Sequence, residues 1–189
     1  FIFTWDNKMR TTAILLLVLM GALLSPAGHA IDTGLRAGTA IVDVTPREWP
    51  LPLRGSFFPK PAKTAHDPLH VRALAFENGT GRAVIVIVDV IGISRETLDP
   101  IKKRAAEATG WRADQMLIAA THTHSAPSSS ESGSAPQVAF GKRLADGMVE
   151  AIEKAVESLQ PAQVGFGSGQ VPDEVFNRRW YLQEGTMPL

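Results

Sequence analysis

Two histidines one residue apart, His122 and His124, stand immediately after the apolar run Met116-Leu117-Ile118-Ala119-Ala120. Imidazole is a good ligand for divalent zinc and titrates near neutral pH, so such a pair suits gripping an ion or moving a proton. Two imidazoles do not fill a tetrahedral shell, so further ligands are required. The chain has no cysteine, which excludes thiolate sites and disulfides and restricts any zinc to N and O donors. The plain alternative is a solvated or hydrogen-bonded pair at a strand-to-loop junction.

Other residue types invite the same question. Asp89 is the only charge in the apolar stretch Val84 to Val90, VIVIVDV. A carboxylate in that setting needs a partner, and it either caps the following turn or orients one of the histidines. His66 and His70 are four apart, but Pro68 between them rules out a helical metal pair, and both read as loop and strand residues. Gly55, between Arg54 and Ser56, is either a point of close backbone approach or an ordinary turn glycine, and the turn is the preferred reading.

The elements that must position these groups follow from periodicity. Met116 to Ala120 has the length of a strand, and its unbroken apolar run suits one covered on both faces. On a strand, i and i+2 point to the same side. If the strand persists, both imidazoles project from its carboxyl end, where open α/β sheets hold their ligands. Thr39 to Val44 alternates as a first strand. His70 to Phe76 and Arg82 to Val90 flank an Asn78-Gly79 turn signal and form a hairpin. A helix opens at Ser94 or Asp99 and ends at Thr109-Gly110. It delivers the chain by crossover to the histidine strand, predicting that this strand runs parallel to VIVIVDV.

The proline-rich stretch from Arg47 to Pro68 is a long loop. Ser125 to Gln137 is expected to be a mobile rim over the site. Phe140, Leu144, Met148, Ile152 and Val156 recur at helical spacing, predicting a helix over about 137–159 whose stripe is core. Val164 to Val171 is expected to form a glycine-rich strand. The fold class is therefore α/β, a mixed and largely buried β-sheet with flanking helices.

The 189 residues carry 19 basic and 19 acidic side chains, so no nucleic-acid footprint is present. Residues 9–30 read as a signal peptide. Lys8 and Arg10 precede the apolar run Ala13 to Leu24, and a small-residue site ends at Ala30. That run is short for a membrane span, although an uncleaved anchor is the alternative. Export, to the periplasm or outside the cell, is expected, with Phe1 to Lys8 an upstream addition. Residues 31–189 would then be the folded part. The end, Gly185 to Leu189, brings no closing helix or charged tail and reads as an interruption within a larger domain.

The combination of His66-Asp67-Pro68-Leu69 leading into a strand, VIVIVDV, a helix ending in Thr-Gly, and Ala120-Thr121-His122-Thr123-His124-Ser125-Ala126-Pro127 resembles the amino-terminal part of the neutral/alkaline, non-lysosomal ceramidase family. The family's usual motif is THTHSGP, so Ala126 stands where glycine is usual. Asn177-Arg178 resembles an Asn-Arg pair at a similar distance. The resemblance implies a zinc amidohydrolase that splits ceramide into sphingosine and fatty acid. It implies a ceramide-like lipid substrate, with peripheral contact to a membrane. His122 would be a zinc ligand, His124 an active-site group beside the metal, and Arg178 an active-site arginine near the scissile bond. The family's other ligands, a His, a Glu and a Tyr, and its key serine would fall past residue 189, leaving this chain inactive alone. Other readings are a secreted metal hydrolase of a non-lipid amide or ester, and a non-catalytic exported binding domain.

Overall fold

The alternation of small and β-branched residues builds a sheet with one deeply covered face. In the computed structural model, which describes residues 34–55, 61–79 and 81–174, five strands form it: β1 (Leu35–Asp43), β4 (His70–Asn78), β5 (Gly81–Val88), β6 (Met116–Ala120) and β7 (Gln160–Pro161). Their order across the sheet is β6-β5-β4-β1-β7. β4 and β5 make the hairpin, with Asn78 opposite Gly81. β6 is parallel to β5, Val84 facing Met116 and Val88 facing Ala120, as a crossover connection requires. The proline-rich loop carries a small ribbon of its own, β2 (Leu51–Pro52) paired with β3 (Pro61–Ala62).

Two helices cover one face. α1 (Arg95–Thr109) starts at Ser94, whose hydroxyl accepts from the Thr97 N–H, so Pro100 lies inside the helix and Asp99 is not the cap. α2 (Ala135–Glu157) lies on β1 and β4 beside α1. Phe140, Leu144, Met148 and Ile152 of α2 pack against Val71, Ala73 and Ala75 of β4 and Val84, Val86 and Val88 of β5, all buried. Contact with β1 is so close that a Cβ at Gly38 would stand 2.0 Å from the Ala155 carbonyl oxygen. Arg143 ties α2 to the end of β1, donating to the carbonyls of Asp43 and Thr45 at 2.8 and 3.0 Å.

The other face departs from the expectation for β6. Leu117 and Ile41 are 61% and 66% exposed, and Ile85 and Ile87 are also solvent-facing, so among the described residues the apolar strands are covered on one side only. Val164 to Val171 forms no strand. It finds no partner strand among the described residues, and Phe166 stands almost fully exposed. Among the described residues no helix is long and apolar enough to cross a membrane. Residues 9–30, expected to be a signal peptide, and the closing residues 185–189 lie outside the described residues.

Candidate functional site

The carboxyl ends of the parallel pair β5 and β6 place two loops side by side. The Thr121 N–H still donates to the Val88 carbonyl at 2.9 Å, and there the strand ends. His122 has φ 61°, in the left-handed region that costs an L-residue about 1–2 kcal/mol. Such conformations persist where surrounding contacts hold them, often at functional sites. The expectation that strand alternation aligns the histidines therefore fails, because the chain turns before the first of them.

The rings nevertheless come together. Their centroids are 5.0 Å apart in an edge-to-face arrangement. Two backbone carbonyls hold them: the His122 Nδ1–H donates to Ile91 O at 2.7 Å, and the His124 Nδ1–H donates to Gly55 O at 3.3 Å. A carbonyl oxygen only accepts, so each Nδ1 carries a proton, and in the neutral imidazole it is Nε2 that holds the lone pair. A pair of free imidazole lone pairs results, the state in which histidine binds metal or accepts a proton.

An ordinary turn was the preferred reading of Gly55, and the structure overturns it. A Cβ there would lie 1.9 Å from His124 Cβ, so this is the close approach after all. The segment before it runs antiparallel to the motif, with Leu53 bridged to Pro127 and the Arg54 N–H donating to Ala126 O at 3.3 Å. Ala126 is fully buried in that contact, so its methyl is accommodated where the family motif usually has glycine.

The expected mobile rim is fastened instead. Pro127 is buried, the Ser129 hydroxyl donates to Gly92 O at 2.8 Å, and Gln137 Nε2 donates to the carbonyls of Ser128 and Ser130. A cavity of about 370 Å³ opens beside Ser125, walled by Trp49, Leu53, Leu69 and Pro127.

Asp89 serves neither role weighed for it. Its carboxylate accepts from the His70 backbone N–H at 2.9 Å and from Arg72 Nη1 at 2.8 Å, locking β4 to β5 rather than orienting His122 or His124. The orienting group for His122 is the Ile91 carbonyl. His66 pairs with Asp67 at the edge of the cavity beside Ser125, and His70 accepts from Arg72, so neither is paired with His122 or His124. Arg178 lies outside the described residues. Among the described residues no cluster of three or more His, Asp or Glu side chains is placed to hold an ion.

The chain is 29% identical over 185 residues to the neutral ceramidase of Pseudomonas aeruginosa, covering 91% of this chain and 27% of that protein. It is 30% identical over 167 residues to neutral ceramidase A of Dictyostelium discoideum, covering 82% of this chain and 23% of the relative. The chain thus spans about a quarter of the length of the curated relatives it matches. The crystal structure of the Pseudomonas aeruginosa neutral ceramidase superposes with a TM-score of 0.57 at 27% identity, over 67% of this chain and 22% of that one. Residues 36–183 match the model of the amino-terminal region of neutral/alkaline non-lysosomal ceramidases, and the chain belongs to that family.

Proposed function

We propose that this chain is the amino-terminal part of an exported zinc amidohydrolase of ceramidase type, acting on the N-acyl amide bond of a ceramide-like lipid. The single observation that carries the site reading is the paired imidazoles, each with Nδ1 turned to a carbonyl and Nε2 left free. Family membership and the names of the relatives support the substrate class. The apolar wall of Trp49, Leu53 and Leu69 beside the motif fits an acyl or alkyl chain.

The donor chemistry fits a zinc ion in part. His122, oriented by Ile91 O, would hold it, with the remaining ligands supplied by residues other than the described ones. When bound, zinc supplies Lewis acidity and a nucleophile effective at neutral pH. His124 takes the proton released as the new C–O bond forms and returns it to the amine as the C–N bond breaks. Arg178 offsets negative charge developing on the carbonyl oxygen. One imidazole ligand leaves a tetrahedral shell incomplete, so this segment alone is expected to be inactive.

The test is metal analysis of the full-length protein purified with and without His122→Ala. Loss of zinc is expected in the variant, and unchanged zinc content removes His122 from the ligand set. Release of fatty acid from ceramide, set against a short non-lipid N-acyl amide, then reads the substrate class.

A further inference from the structure

We propose that Gly55 is a positioning residue, whose carbonyl fixes the tautomer and facing of His124 so that its Nε2 is presented beside His122. The inference rests on the proposed role of His124 and deepens it. Three contacts carry it, and they continue one another along two antiparallel segments: the Leu53–Pro127 bridge, the Arg54 N–H to Ala126 O bond, and Gly55 O facing His124 Nδ1. The first two fix the track, and the third delivers an acceptor to the ring.

Glycine is required at this point for space. A methyl at position 55 would meet His124 at Cβ, Cγ and Cα, at 1.9, 2.4 and 2.5 Å. Those atoms belong to the root of the side chain and the backbone, which cannot swing aside as a chain tip can. Relief therefore comes from parting the two segments, and this withdraws the carbonyl from Nδ1. The neutral histidine side chain in water favours the proton on Nε2, so a His124 released from Gly55 O would cover with hydrogen the lone pair that the reaction uses. His122 is insulated from this change, because its own partner is Ile91 O.

The experiment is NMR of the metal-free chain, labelled with nitrogen-15 in histidine, in alkaline buffer, with His124→Ala identifying the signals. In the unsubstituted chain both His122 and His124 are expected as Nδ1–H forms. Gly55→Ala should move His124 alone toward the Nε2–H form. Arg54→Pro, which removes the neighbouring N–H donor without adding bulk against His124, should do the same. In the full-length protein Gly55→Ala should retain zinc and lower kcat about a hundredfold, the scale of a misplaced group.

A His124 protonated on Nε2 in the unsubstituted chain overturns the proposal whether or not Gly55→Ala folds. So does a folded Gly55→Ala or Arg54→Pro chain whose His124 signature is unchanged. If full-length protein holds no zinc while His124 remains Nδ1–H and responds to Gly55→Ala, the metal reading falls and the positioning role stands.

Discussion

His122 shows how a single backbone angle can do what a regular element would not. Its φ of 61° takes the chain out of the sheet, and carbonyls from two distant loops then gather the rings. The type and spacing of His122 and His124 were legible in sequence, because few residues other than paired imidazoles do that chemistry after an apolar strand. Their true arrangement was not, since it depends on Ile91 and Gly55, 31 and 69 residues away. Asp89 was misjudged for the same reason: its partner Arg72 lies across a strand pair and not along the chain. For His124→Ala in the full-length protein, zinc should remain while turnover falls by about 10²–10⁴, the usual yield of general acid–base catalysis. Paired metal analysis and steady-state kinetics check it, and full activity would remove His124 from the mechanism.

At the scale of elements, the legible ones carry their own pattern. VIVIVDV cannot be soluble as a loop, and the stripe from Phe140 to Ile152 buries only as a helix; both formed where expected. Val164 to Val171 has apolar residues at strand spacing, but its glycines leave little side chain to pack, and no neighbouring strand meets it among the described residues. Two changes test what holds the helices. Leu144→Ala, at a fully buried position of α2, should lower stability by about 2–5 kcal/mol. Ser94→Ala, which removes the α1 cap, should lower it by about 0.5–2 kcal/mol. Denaturant unfolding of each variant reads both, and a Leu144→Ala chain as stable as its parent would contradict the packing described.

The described residues form two layers, helices on one face of the sheet and solvent over Ile41, Ile85, Ile87 and Leu117 on the other. Exposed apolar side chains on a near-neutral chain, Ile85 and Leu117 side by side among them, favour association. The 189-residue chain should bind an apolar dye and self-associate with rising concentration. Ile41→Lys with Leu117→Lys should suppress both while shifting stability by no more than about 0.5 kcal/mol per site. Light scattering with dye fluorescence decides this, and a monomeric chain that ignores the dye would argue against an accessible apolar face. The turn at His122 also bears on protein engineering. Grafting the ten letters around Thr-His-Thr-His onto another parallel sheet would transplant the two histidines without the scaffolding that aims them. A working graft must import the backbone of 53–55 and 91–92 as well, because the instructions for those rings are written in main-chain oxygens that no side-chain motif encodes.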